Sequence, residues 1–362
     1  MFKIRKQLSK LYLLTIWGNI SLSGAWVAIL TARGFSLVEI GFAETVFHIT
    51  SILFEIPSGA LADVIGRKRM LLASSVSRML ANIIMIISWN FPVVCVSLVF
   101  HALSYNFLSG SHEALAYESL KYVGEETRYE KYGSNQMILY RICGGISTLC
   151  AGLALTVGYK IAYGTGVITG IMEFLIILSL VEIRTDNLEQ KKSLFQAIIH
   201  CFKESIYFLS REKKIVSFML CNSLIGAVDV LLVFFLEAKM PACGMPKWLL
   251  GPALLLIQIG GVAGSRLVLR WKHWRFRKVF MVAAFLVILG FLVEHTGVYL
   301  IMMLGGFLSA IGDDAMQVHT NARIQEMVPS KQRATITSVD SFLFSCIMIV
   351  FSPLAGFVFS IW

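Results

Sequence analysis

Residues 59–69 read Gly59-Ala60-Leu61-Ala62-Asp63-Val64-Ile65-Gly66-Arg67-Lys68-Arg69. An apolar run closes on Asp63, Gly66 permits a tight turn, and the cations Arg67, Lys68 and Arg69 follow at once. A glycine such as Gly59 lets a neighbouring helix come close, and glycine tolerates the backbone angles that a turn requires. Cations massed directly behind such a turn mark the edge of a membrane on its cytoplasmic side. The stretch therefore reads as a short hairpin joining two membrane-crossing helices.

The rest of the chain repeats that alternation. Leu11 to Ala32 is 22 residues without a charge, and Ser341 to Trp362 is another 22. About 20 apolar residues are enough to cross roughly 30 Å of hydrocarbon. Apolar blocks between charge clusters give eleven candidate spans, near 11–32, 37–62, 70–89, 92–120, 134–157, 160–181, 214–237, 247–270, 279–294, 297–327 and 335–361. Over all 362 residues, 57% are hydrophobic and 15% charged, which excludes a water-soluble domain. The expected class is an all-α membrane protein.

Charge sets the expected orientation. With the amino terminus inside, Arg33, Lys160, Lys239 and Lys247 face out and Arg78, Arg141, Arg266 and Arg323 lie within spans. The other 24 of 32 Lys and Arg then lie inside. That bias follows the positive-inside rule, so a plasma membrane protein with a cytoplasmic amino terminus is expected. The net charge of +10 is spread over these short loops, which argues against a nucleic-acid partner. The seven cysteines are scattered and mostly inside apolar blocks, as small buried thiols are, and no disulfide framework is implied. Four basic residues within Met1 to Lys10 resemble the start of a signal peptide, but the block that follows suits an uncleaved first span.

The longest inner segment, 183–213, separates six spans (1–182) from five (214–362). Within it Leu194, Ile198, Phe202, Ile206 and Leu209 recur at helical spacing, as in a helix lying on the membrane surface. The two halves also echo each other. Ser21-Leu22-Ser23-Gly24-Ala25 returns as Ser223-Leu224-Ile225-Gly226-Ala227, and Phe107-Leu108-Ser109-Gly110 returns as Phe307-Leu308-Ser309-Ala310. The offsets are 202 and 200 residues, which points to a duplicated six-helix unit whose second copy lacks its last helix. Truncation is the expectation.

The string 59–69 resembles the signature loop between helices 2 and 3 of the major facilitator superfamily, with Val64 where that loop usually has an arginine. Ser111-His112-Glu113-Ala114-Leu115-Ala116-Tyr117-Glu118-Ser119-Leu120 is also similar to bacterial members. The resemblance implies two pseudo-repeated bundles, here six plus five helices, that rock about a central site. It further implies that Gly59, Asp63, Gly66, Arg67 and Lys68 form a gating loop, with Arg67 latched to an acid at the inner end of helix 4. Glu118 is first for that role and Glu113 second. Two drug-antiporter patterns are absent, since Asn106 stands where an arginine is expected and no proline follows Gly144-Gly145-Ile146-Ser147.

Ionisable groups inside spans face a protein interior or a water-filled cavity. Equal depth pairs Glu55 with Arg78, Glu113 with Arg141, and Asp340 with Arg323, as scaffold or as an inner gate. Asp229, Asp313 and Asp314 lie near mid-membrane on spans 7 and 10 with no cation at matching depth. Such carboxylates are candidates for carrying a coupling proton or for joining helices by hydrogen bonds. Asn19 and Tyr105 join Glu113 as candidates for the cavity wall. Gly166 with Gly170, and Gly260 with Gly264, have the spacing that packs helices.

The histidines lack ligand spacing, and no HExxH, phosphate loop or nucleophile elbow occurs. No metal site, cofactor or enzymatic activity is expected. The leading expectation is a monomeric secondary transporter in a lipid bilayer that exports a small amphiphilic compound against protons. Aromatic residues on the cavity-lining spans (Trp17, Trp26, Tyr105, Phe107, Phe234, Phe235) favour export. The alternatives are uptake of a small polar metabolite and a truncated protein that does not transport.

Overall fold

The computed structural model describes residues 3–183, 208, 210–271, 273–327 and 333–361; the side chains of 56, 60, 63, 271, 325 and 333–338 also lie outside the description. The proposed surface helix within 183–213 falls almost wholly outside these residues.

The described residues form fourteen α-helices. They are α1 (Ile4–Asn19), α2 (Trp26–Ala32), α3 (Leu37–Ile65), α4 (Arg67–Ile87), α5 (Phe91–Leu108), α6 (Ser111–Tyr122) and α7 (Tyr129–Leu149). Then come α8 (Ala151–Val157), α9 (Tyr159–Leu178), α10 (Lys213–Ala242), α11 (Leu250–Leu267), α12 (Phe276–Val293), α13 (Tyr299–Met327) and α14 (Arg333–Ile361). Among the described residues nine spans are long and apolar enough to cross a membrane, and α7 with α8, bent by 45°, makes a tenth. The first expected span, 11–32, is not one helix. It breaks between Asn19 and Trp26, around a single 3₁₀ turn at Leu22–Gly24. Eleven crossings are compatible with this arrangement.

Local chemistry sets the helix starts. Ser36 and Glu39 form a reciprocal capping box at α3, with the Glu39 carboxylate accepting from the Ser36 backbone at 2.8 Å. Asn90 accepts from the Val93 backbone N–H at 3.1 Å and so caps α5. Gly110 takes a left-handed φ of 71° and separates α5 from α6 inside the expected fourth span.

The chain divides into two compact units. Met1–Gly24, Ile49–Ser147 and Val157–Phe202 form one; Ala25–His48, Thr148–Thr156 and Lys203–Trp362 form the other. Helix α3 therefore gives its first part to the second unit and the remainder to the first.

In the first unit Leu8, Leu11, Leu71, Leu115, Leu120 and Tyr132 form a packed cluster. In the second, Leu232, Phe235, Leu236, Leu250, Met302 and Met348 do so. Lipid tails are as apolar as leucine, so helices in a bilayer associate through close packing rather than water exclusion. Small residues permit it here. A Cβ on Gly264 would stand 2.2 Å from the Ile311 carbonyl oxygen, and one on Gly260 2.4 Å from that of Phe307. Gly41 likewise lies against the Ser352 carbonyl, where a Cβ would stand 2.4 Å away, and Thr45 donates to the Ile349 carbonyl at 3.1 Å.

Candidate functional site

The hairpin between α3 and α4 is built around one carboxylate. Glu182 accepts from the backbone N–H groups of Arg67 and Lys68 at 2.9 Å each. These are the first two residues of α4, whose own preceding residue, Gly66, has no side chain to cap it. Gly66 has a φ of 103°, and a Cβ there would meet the Glu182 carboxyl at 2.9 Å. Glycine is required twice over, for its backbone and for its missing side chain. Arg67 Nε stands 3.6 Å from Glu118 Oε1, and Lys68 Nζ donates to the Leu178 carbonyl at 2.8 Å. The Asp63 side chain lies outside the described residues. Gly59 is exposed, and a Cβ there would meet nothing within 4 Å among the described residues.

The expected ion pairs rearrange. Arg78 Nη1 bonds both oxygens of Glu173 on α9 at 3.0 Å, and Nη2 donates to the Gly18 carbonyl. The carboxylate that Arg78 grips is thus Glu173. Glu113 accepts from Gln136 at 3.4 Å, while Arg141 is exposed and forms no ion pair among the described residues. Arg323 pairs with Glu326 on its own helix at 3.2 Å and reaches the Trp274 carbonyl, and Asp340 keeps a buried oxygen that finds no partner among the described residues. The depth argument misses these partners for one reason. Equal depth on adjacent helices fixes height, but rotation about each helix axis decides which side chains meet.

In the second unit α13 presents its acids to two helices. Ser309 donates to Oδ1 of Asp229 on α10 at 2.5 Å, and both residues are buried. Asp313 points at α10, where a Cβ on Gly226 would lie 3.2 Å from its Oδ1. Asp314 points at α11, where a Cβ on Gly261 would lie 2.4 Å from its Oδ2. Asp313 lies within electrostatic reach of both Asp229 and Asp314. Two glycines thus make room for two consecutive carboxylates. In the first unit Asn19 donates its side-chain amide to the Thr15 carbonyl at 2.7 Å, and its own carbonyl accepts from Ser147 at 2.6 Å. Tyr105 is 59% exposed.

Several polar groups escaped the sequence reading. Glu173 sits inside α9, Glu237 inside α10, and Glu44 and His48 inside α3. His48 lies 3.3 Å from Glu44 and 3.1 Å from Ser345. Glu294, with no exposure, lies 3.4 Å from Lys239. The available signal was simply an acid within an apolar run. No group of three or more His, Cys, Asp or Glu that could hold a metal occurs among the described residues.

The sequence profile of the Major Facilitator Superfamily matches residues 9–361. The chain belongs to that family. Accordingly it is a multi-pass membrane transporter. No curated protein sequence matches it. Solved structures share its fold. The nucleoside transporter NupG is 15% identical with a TM-score of 0.71, over 99% of this chain and 91% of that one. A D-xylose–proton symporter is 9% identical with a TM-score of 0.65, over 97% and 89%. A point mutant of the peptide transporter POT is 12% identical with a TM-score of 0.66, over 98% and 90%.

Proposed function

We propose that this superfamily member is a proton-coupled secondary transporter that works by alternating access, with the coupling proton carried by Asp229 and the neighbouring Asp313 and Asp314. The observation that carries the reading is the burial of Asp229 against Ser309, with further carboxylates close by and no cation hydrogen-bonded to it among the described residues. An ionised carboxylate is costly in such a place, so each one favours holding a proton. A proton drives transport when its preference for one conformation differs from its preference for the other. The similar fold of a D-xylose–proton symporter supports proton coupling by analogy.

Of the two directions, uptake of a small polar solute is favoured over export of an amphiphile. The aromatic argument for export weakens, because Trp26 packs edge-to-face on Phe234 and Phe235 stacks on Phe359. The six-plus-five division into bundles, the monomeric state and a cytoplasmic amino terminus in a bacterial plasma membrane belong to the same reading. Proteoliposomes under an imposed pH gradient, offered nucleosides, pentoses and short peptides in turn, test it. Accumulation of one class that collapses with the gradient supports proton-coupled uptake. Gradient-independent equilibration of every class would overturn it.

A further inference from the structure

The second unit has a basic connection of its own, and its sequence supplies no acid to balance it. Arg270-Trp271-Lys272-His273-Trp274-Arg275-Phe276-Arg277-Lys278 links the end of one span, Lys247–Arg270, to the start of the next, Phe276–Thr296. No Asp or Glu occurs between Glu237 and Glu294. Arg270, Arg275, Arg277 and Lys278 are exposed and form no ion pair among the described residues. The hairpin at Gly66–Arg69 is different, since Glu118 stands beside Arg67 and Glu182 takes the backbone N–H groups of Arg67 and Lys68. Helix α12 also opens without an acid in its first turn, so Arg277 and Lys278 crowd the positive end of its dipole. The strip 270–278 is short of negative charge.

Aromatic rings hold these charges in place. Lys278 Nζ lies 3.9 Å from the centroid of the Trp274 ring. Phe276 stacks on Phe218 of α10 with ring centroids 3.9 Å apart, and Lys214 Nζ lies 5.9 Å from the Phe218 centroid. Arg323 of α13 reaches the Trp274 carbonyl at 3.5 Å, and its own charge is met by Glu326. The acid nearest in sequence to Lys214 is Glu212, which is exposed. We propose that this strip binds the phosphate headgroup of an anionic phospholipid. Its place between two span ends puts it at headgroup level, where tryptophan rings also settle. Cations massed at the end of a span attract anionic lipid, and guanidinium groups pair with phosphate oxygens two at a time. A zwitterionic headgroup brings an ammonium of its own, which unpaired cations repel, so a headgroup of net negative charge is preferred. A lipid seated there lies against the loop that Arg323 ties to α13, the helix carrying Asp313 and Asp314. The site itself depends neither on the solute nor on the driving ion.

The test needs no transported solute. Binding of phosphatidylglycerol and of phosphatidylcholine to the purified full chain in neutral detergent is measured by native mass spectrometry. The parent is expected to bind phosphatidylglycerol about tenfold more tightly. Arg275→Gln, Arg277→Gln and Lys278→Gln combined should erase that preference. All three side chains are exposed, so the fold should persist, and a thermal melt checks that it does. If the combined variant melts early, the three single variants replace it, each losing part of the preference. Arg275→Lys with Arg277→Lys keeps the charge and should stay within about fivefold of the parent. The control removes equal charge elsewhere, by Lys121→Gln, Arg128→Gln and Lys131→Gln in a stretch that carries Glu125, Glu126 and Glu130. It should leave the preference intact. A preference that survives the loss of the cations at 275, 277 and 278, or that falls as far in the control, would overturn the site. So would full displacement of the lipid by millimolar inorganic phosphate, because the strip would then be reading a free anion.

Discussion

Arg78 of α4 holds both carboxylate oxygens of Glu173 on α9 at 3.0 Å and also donates to the Gly18 carbonyl of α1. One side chain therefore ties three helices of the first unit together. Removing one partner of a buried pair leaves the other charge uncompensated, at a cost of about 3–5 kcal/mol. Glu173→Ala and Arg78→Ala should each lower the melting temperature of the purified protein sharply. Replacing both should cost less than the sum of the two. Additive losses would show that the pair does not act as a unit.

Glycine substitutions should divide by what lies opposite them. Gly264→Ala places a methyl 2.2 Å from the Ile311 carbonyl and should cost about 1–3 kcal/mol through overpacking. At Gly144 a Cβ meets nothing within 4 Å, and Gly144→Ala should be neutral or gain up to about 1 kcal/mol from helix propensity. Thermal melts of both variants decide this. Equal losses would contradict the packing geometry.

The hairpin should be governed by Glu182 as well as by its cations. Glu182→Ala removes the acceptor for two backbone N–H groups at the start of α4, worth about 0.5–2 kcal/mol. Arg67→Ala removes a partly exposed pair with Glu118 and should cost less stability, about 0–1 kcal/mol, while slowing transport per folded molecule. If Arg67→Ala instead reduces folded protein and leaves turnover intact, the arginine is scaffold.

How much of this was legible beforehand follows from what each feature depends on. The spans and the hairpin at Gly66–Arg69 depend on composition and on local backbone needs, both of which a sequence carries directly. The acids at 229, 313 and 314 were visible because a charge in an apolar run is conspicuous. Their division, with Asp313 toward Gly226 and Asp314 toward Gly261, depends on helix rotation and was not visible. Rotation also misled the pairing of Arg78, whose partner Glu173 lies 95 residues away on a helix the depth argument did not consider. The break after Asn19 was hidden for a different reason. An uninterrupted apolar run is compatible with a broken helix when side chains such as Ser147 and Thr165 take up the freed backbone groups.

The central claim, that the carboxylates around Asp229 couple transport to protons, is tested most directly by replacing them with asparagine in proteoliposomes. Asparagine keeps a hydrogen-bond acceptor for Ser309 but cannot carry the proton. With a solute that the wild type accumulates, uphill accumulation under an imposed pH gradient is compared with solute exchange at equal pH. Asp229→Asn, or a variant at Asp313 or Asp314, should lose accumulation by about tenfold or more while exchange persists, because a step lacking differential proton binding gains no drive from the gradient. If all three variants, singly and together, still accumulate solute with the wild-type dependence on the gradient, these acids are scaffold and the account is wrong.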